Sequence, residues 1–172
     1  MATLDQSFTT NDSTYGIKNT AAFTYRSQGF TPSVSGTCAQ VDLCLAKQGN
    51  PTGNVQVGIW SDDGGGQPSS LLSDVVTYNS ASLGALAWIT FNFSSPATIT
   101  ASTVYHIVVT ATYSSDNTNY ATWGVNMTGG YGGGVNNYSS DGSTWAGAGT
   151  DHDFKQYYNA VVATGDMFNM FI

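Results

Sequence analysis

Few residues in this sequence could perform acid–base or metal chemistry. The 172-residue chain has 11 acidic residues, all of them aspartate, and two histidines. His106 lies inside an apolar run and is expected to be a hydrogen-bonded structural residue. His152 lies between Asp151 and Asp153, and because neighbouring side chains of a strand point to opposite faces, the three converge on a metal only through a turn. His152 is therefore expected on a solvated strand edge.

The sequence shows no arrangement of residues typical of a hydrolase. It has no nucleophile elbow, and no pair of aspartates lies among apolar residues that would raise a carboxyl pKa for glycoside hydrolysis. We therefore predict no catalytic residues and a protein that is not an enzyme.

Four aspartates lie in loops rich in glycine, serine and asparagine: Asp62, Asp63, Asp116 and Asp141. Carboxylates and backbone carbonyls of such loops can form an oxygen cage for calcium. Aspartate is equally typical of turns, where its side chain accepts hydrogen bonds from nearby backbone N–H groups. Both interpretations stay open, and no cofactor other than calcium is predicted.

Aromatic residues make up 13% of the chain, and several lie in predicted loops or at strand ends. Exposed rings flanked by polar residues can stack on sugars, whereas buried rings pack in cores and hairpins. The candidate ligand-binding set is Trp60, Tyr120, Trp123, Tyr131 and Tyr138.

The elements that would position these residues are strands. The chain has no glutamate and many threonine, valine and aromatic residues, which favours β-structure over helix. Apolar residues alternate with polar ones, as in Val55, Val57 and Ile59. The predicted strands cover residues 22–26, 37–46, 54–60, 71–78, 85–93, 104–113, 120–125, 135–138 and 153–158, with Pro96 ending one of them.

These patterns predict one all-β domain over residues 1–172, an antiparallel two-sheet sandwich. Residues 1–20 are expected to be an N-terminal arm, and residues 159–172 an apolar C-terminal extension. Cys38 and Cys44 are six residues apart, which is about 20 Å on one extended strand, so we predict that they do not form a disulfide.

Charge and hydropathy exclude several classes of partner. The net charge is −7 with only four cations, so no basic surface is available for nucleic acid or for an anionic membrane. No apolar run reaches the roughly 18 residues of a membrane-spanning helix, and residues 1–10 lack the features of a signal peptide. A lysine-poor surface rich in serine, threonine and asparagine favours a location on a virion surface or outside the cell.

A series of turn and core motifs resembles a family of jelly-roll domains from bacterial surface proteins and phage virion proteins. The motifs occur at residues 30–32 (FTP), 36–37 (GT), 41–45 (VDLCL), 49–55 (GNPTGNV), 57–62 (VGIWSD), 66–68 (GQP), 88–91 (WITF) and 104–108 (VYHIV). The resemblance implies a jelly-roll, carbohydrate-binding-like and non-catalytic domain over about residues 28–158. This chain departs from the family pattern by continuing to residue 172.

The segment 167–172 combines apolar and β-prone residues and would be an aggregation hazard if left in water. Either it adds a strand to its own sandwich, or it pairs with a neighbouring subunit through Met167, Phe168, Met170, Phe171 and Ile172. We predict a non-catalytic phage virion surface component, such as a capsid decoration, fibre or tail appendage, that associates with itself or with a shell protein. The alternative is a carbohydrate-binding module of a bacterial surface protein, and the two share glycans as possible ligands.

Overall fold

The computed structural model describes residues 2–160, which form fourteen strands joined by turns and two short 3-10 helices. The strands are β1 (Thr3–Phe8), β2 (Ser13–Ile17), β3 (Tyr25–Phe30), β4 (Gly36–Gln48), β5 (Asn54–Asp62), β6 (Pro68–Leu71), β7 (Val76–Asn79), β8 (Ala87–Ile99), β9 (Tyr105–Ala111), β10 (Tyr120–Asn126), β11 (Asn136–Ser139), β12 (Trp145–Gly147), β13 (Asp151–His152) and β14 (Phe154–Asn159). The 3-10 helices cover Ala21–Phe23 and Ser80–Ser82. No helix within residues 2–160 has the length and apolar character needed to cross a membrane.

The strands form two antiparallel seven-stranded sheets. In the first sheet, β8 pairs with one edge of the long strand β4, while β14 and β10 share its other edge. Strand β1 then pairs with β14, and β2 and β13 pair with β10. The second sheet has the order β12-β11-β3-β9-β5, with β6 and β7 both pairing with β5. The prediction of an all-β two-sheet sandwich is confirmed, while its jelly-roll connectivity stays a prediction.

The core lies between the inner faces of the two sheets. Val55, Val57 and Ile59 of β5 are fully buried, as their alternation with polar residues predicts. The largest fully buried side chains of the core are those of Trp123, Phe30, Phe91 and Phe154.

The segment predicted as an N-terminal arm supplies two strands to the first sheet. Backbone pairing joins Thr3–Phe8 to β14 and Ser13–Ile17 to β10. No residue of β1 is fully buried, and Phe8 alone among its residues packs against the core, so its pairing comes mainly from the backbone ladder. The period-two apolar pattern used to find strands is therefore absent from this segment, although the segment is part of the sheet.

Three predicted strand boundaries were wrong. Residues 71–78 cover the last residue of β6, a connection and most of β7. The strand predicted at 22–26 is β3, which begins at Tyr25 because Ala21–Phe23 is a 3-10 turn and continues to Phe30. Pro96 does not end its strand, since β8 continues to Ile99. Proline is tolerated there because β8 pairs with a single neighbour and bulges opposite Cys38–Gln40.

Both cysteines lie on β4, and both are buried and free of any disulfide, as predicted. Burial raises the pKa of the Cys38 thiol to about 12, so this group is a thiol and not a thiolate at neutral pH.

The glycine-rich stretch 129–134 is explained by a close backbone approach. The Gly29 N–H donates to the Val135 carbonyl oxygen at 2.8 Å, and Thr31 Oγ1 donates to the Gly133 carbonyl at 2.6 Å. A Cβ at Gly134 would collide with the backbone of Gly29. Only a glycine at this position lets the loop lie directly on β3.

Candidate functional site

A cleft of about 510 Å³ lies where residues from the two sheets meet, between β2 and β10 of the first sheet and β3 and β11 of the second. Four aromatic rings and three polar side chains line it: Tyr15, Phe23, Tyr120 and Tyr138, with Thr14, Asn19 and Arg26. Glycine and alanine at positions 147 and 148 complete the wall and leave the rings accessible.

Arg26 is the one arginine of the chain, and it points inward. Arg26 lies on the same face of β3 as Gln28 and Phe30, and only 5% of its surface is exposed. Arg26 Nε donates a hydrogen bond to the Gly16 carbonyl oxygen at 3.1 Å. Its guanidinium carbon lies 4.6 Å from the ring centroid of Tyr15 and 4.3 Å from that of Phe23, which is within cation–π range.

The charge of Arg26 has no anionic partner within residues 2–160. The ion pair found in that range joins His106 to Asp62, and neither terminal nitrogen of Arg26 donates a hydrogen bond to a described residue. The two terminal nitrogens are not fully buried, and they therefore keep access to the cleft. Burial lowers the pKa of Arg26 to about 10, which leaves the group charged at neutral pH.

A second cleft, of about 760 Å³, adjoins the first, and both are lined by Asn19. Its other polar side chains include Asn50, Thr52, Ser114 and Asn117. Asn19 Oδ1 is fully buried and accepts no hydrogen bond from the described residues. The Asn19 side chain packs on Gly16, where a Cβ would lie 2.5 Å from Asn19 Cγ, so this arrangement requires glycine at position 16.

The structure brings together two of the five aromatic residues predicted to bind a ligand. Tyr120 and Tyr138 both line the first cleft and are half-buried. Trp60 lies elsewhere on the second sheet, with its ring 6.4 Å from that of Trp145. Tyr131 packs against Phe154 at 5.1 Å, and its hydroxyl donates to Gln6 Oε1.

Trp123 was wrongly placed in the ligand-binding set, because it is fully buried. Its ring stacks on His152 with centroids 4.0 Å apart, and its Nε1 donates to the Asp153 carbonyl oxygen. The expectation of a solvated His152 was also wrong, since the residue is fully buried. Burial, together with the positive charge of Arg26, lowers the pKa of His152 to about 3, so its imidazole is neutral.

The flanking Asp153 is buried as well, and one of its carboxylate oxygens has no hydrogen-bond partner among the described residues. Burial raises its pKa to about 6, although the backbone N–H groups of Asn11 and Thr10 favour the charged form. These buried polar groups pack behind the cleft and do not line it.

His106 is a hydrogen-bonded residue within a strand, as expected. Its Nε2 lies 2.7 Å from Asp62 Oδ1, and the residue is fully buried. Burial lowers the pKa of His106, and the Asp62 carboxylate only partly opposes this effect.

The four aspartates considered for calcium each accept hydrogen bonds within their own turn. Asp62 and Asp63 accept from N–H groups of residues 64–67, Asp116 from Thr118 and Asn119, and Asp141 from residues 139, 143 and 144. These bonds lower the pKa values of Asp63, Asp116 and Asp141. No group of three or more metal-ligating side chains occurs in the part of the chain that the structure describes. The contacts favour the turn interpretation, and calcium binding stays a prediction.

The predicted assembly residues, Met167, Phe168, Met170, Phe171 and Ile172, lie outside the described residues. No protein-family model, curated protein or solved structure matches the chain. The resemblance to jelly-roll surface and virion domains therefore stays a prediction.

Arg26 is the central residue that sequence reasoning missed. Its signal was available, because the one arginine of the sequence lies four residues before Phe30 and two before Gln28. An arginine on the buried face of a strand is unusual, since arginine is rarely buried without a partner. The predicted strand at 22–26 ended at this residue, so Arg26 and Phe30 were not placed on one face of the same strand.

Proposed function

We propose that this protein is a non-catalytic binding module that holds a glycan in the two adjoining clefts beside Asn19. The observation that carries the proposal is the combination of aromatic faces in one cleft with amide and hydroxyl groups in the next. Sugars present apolar C–H faces that pack on aromatic rings, and hydroxyl groups that bond to amides.

The dimensions of the two clefts support a ligand larger than a single small ion. Volumes of about 510 and 760 Å³ fall in the range of small-molecule binding pockets. The rings of Tyr120 and Tyr138 are half-buried, so each has one part fixed by the protein and another available for contact.

The residues that line the first cleft support binding without catalysis. They include no aspartate, histidine or cysteine. Asp116 lines the second cleft, but hydrogen bonds from Thr118 and Asn119 hold its pKa below the usual range and favour a charged carboxylate. A group of this kind is a poor proton donor at neutral pH.

The proposal is tested by screening the protein on an oligosaccharide array and measuring the affinity for the best ligand by calorimetry. Tyr138→Ala is expected to weaken binding about twofold to tenfold, since stacking on one ring contributes about 0.5–1.5 kcal/mol. Trp88→Ala is the matched control, because Trp88 is an exposed ring on β8 outside the cleft. The absence of any glycan ligand, or equal losses in both variants, would refute the proposal.

The virion-surface role is a second proposal, and it is compatible with glycan binding. It is supported by the apolar and β-prone residues at positions 167–172 and by the small number of charged residues, 9% of the chain. Self-association or attachment to a shell protein through this segment would place the module on a particle surface.

A further inference from the structure

Arg26 is held ready for an anion that the described residues do not supply. A buried charge is costly unless it is paired, and buried arginines in proteins are normally matched by a carboxylate. Here only 5% of the Arg26 residue is exposed, and within residues 2–160 its Nε is the one guanidinium nitrogen with a hydrogen-bond partner, the Gly16 carbonyl oxygen.

The surroundings of Arg26 fix the orientation of its guanidinium. The rings of Tyr15 and Phe23 both lie within 5 Å of the guanidinium carbon, and the Tyr138 ring lies 5.9 Å from it. With Nε bonded to Gly16, the terminal nitrogens are the donors that remain for a ligand in the cleft. A carboxylate matches these planar donors better than a neutral hydroxyl does, because it can accept two parallel charge-assisted bonds.

We infer that the cleft selects acidic sugars, with the carboxylate of a uronic or sialic acid residue paired to the terminal nitrogens of Arg26. This inference rests on the proposed glycan-binding function and adds the chemical class of the ligand. The neutral part of the glycan then lies against Tyr120 and Tyr138 and extends toward Asn19.

The net charge of −7 means that the protein surface as a whole does not attract acidic ligands. The protein surface repels anions in general, and interactions between exposed charges are screened beyond about 8 Å at physiological ionic strength. Selection of an acidic sugar therefore depends on direct contact with Arg26 and not on a basic surface.

The test compares each acidic oligosaccharide with a neutral counterpart that differs only at the acid. Suitable pairs are sialyllactose with lactose and tri-galacturonate with its carboxyl-reduced form, and sulfated lactose is included as a second anion. The acidic member is expected to bind about tenfold to a hundredfold more tightly, the range expected for hydrogen bonds to a charged group.

Arg26→Met is expected to remove this preference, while Arg26→Lys retains part of it. Lys155→Met is the matched control, since Lys155 Nζ lies 4.2 Å over the Trp88 ring outside the cleft. Folding of each variant is checked by near-ultraviolet circular dichroism and thermal unfolding.

The wild-type protein provides a readout that does not depend on any variant. Because Arg26 is the one arginine, its Nε–H cross-peak in a ¹⁵N spectrum is unambiguous. This peak is expected to shift on addition of the acidic oligosaccharide and to stay in place with the neutral one.

The outcomes separate the two proposals. Equal binding of acidic and neutral members, or acidic binding that neither moves the Arg26 peak nor responds to Arg26→Met, overturns the inference but leaves glycan binding intact. A preference for sulfated lactose alone overturns the carboxylate assignment. Failure of every glycan to bind overturns the proposed function itself.

Discussion

Replacing Arg26 with methionine is expected to leave the stability of the unliganded protein nearly unchanged. Methionine keeps most of the apolar stem between Tyr15 and Phe23 and removes the charge. The expected change in the free energy of unfolding is within about 1 kcal/mol of zero, in either direction.

This magnitude follows from opposing contributions at the site. Burial lowers the pKa of Arg26 from 12.5 to about 10, which corresponds to about 3 kcal/mol disfavouring the charged group in the folded state. The cation–π contacts with Tyr15 and Phe23 contribute about 1 kcal/mol each, and the bond to the Gly16 carbonyl about 1.5 kcal/mol. The favourable contacts thus nearly offset the cost of burial.

The measurement is urea unfolding followed by tryptophan fluorescence, with Arg26→Met compared with wild type at pH 7. Equal slopes of the unfolding free energy against urea concentration would show that both proteins expose a similar amount of surface on unfolding. Removing one partner from a true buried ion pair costs about 3–5 kcal/mol. A destabilisation of that size in a folded variant would mean that Arg26 is already paired, and the reasoning that the charge awaits a ligand would be wrong.

Three further predictions concern other parts of the molecule. Asp153 has a folded-state pKa of about 6 against 3.8 unfolded, so its contribution to stability falls by about 2 kcal/mol as pH rises from 4 to 6. The stability gain of Asp153→Asn over wild type should therefore grow across this window, and a gain independent of pH would contradict the assignment. Gly134→Ala is expected to lower the free energy of unfolding by about 2 kcal/mol or more through collision with Gly29, with Gly132→Ala, where a Cβ meets open space, as the control. Similar thermal unfolding of the two variants would rule out the proposed close approach. Deletion of residues 167–172 is expected to reduce the mass measured by light scattering while the fold persists. An unchanged mass with an intact fold would remove the main support for assembly through this segment.

The sequence predicted the two-sheet sandwich because alternation of apolar and polar residues is a direct consequence of burying one face of a strand. This relation holds for β5, where Val55, Val57 and Ile59 are all buried. It fails for β1, which the backbone ladder joins to the sheet without fully burying any side chain. Strands of this second kind leave no apolar pattern to detect.

The candidate site was predicted only in part, for a similar physical reason. Tyr120 and Tyr138 were found because ring type and loop position suggested contact with a ligand, but the same criteria included Trp123, which stacks on His152 in the interior. The burial of His152 between two aspartates depends in part on residues far away in the sequence, such as Gln28 of the second sheet, which accepts a hydrogen bond from the His152 N–H. The local sequence does not reveal such contacts. Arg26 was missed because one strand boundary was set four residues too early.

Much of the cleft wall comes from the crossover that carries the chain from β2 to β3. Tyr15, Phe23 and Arg26 all belong to this stretch of 12 residues, from 15 to 26, which passes from the first sheet to the second. Within it, Lys18 has a positive φ of 53°, a conformation that is uncommon for residues other than glycine. The surrounding contacts hold it in place: its N–H donates to the Phe23 carbonyl at 2.8 Å, and its Nζ donates to the Ala111 carbonyl at 3.0 Å.

Strained backbone persists only where the surrounding structure fixes it, and it is concentrated at functional sites. In this protein Lys18 lies on the segment between Tyr15 and Phe23, whose rings both contact the guanidinium of Arg26. One short segment thus carries both the unpaired charge of Arg26 and the positive φ of Lys18. An apolar residue at position 26 would remove the buried charge and keep the packing of the sandwich at nearly unchanged stability, so the fold itself does not require the charge of Arg26.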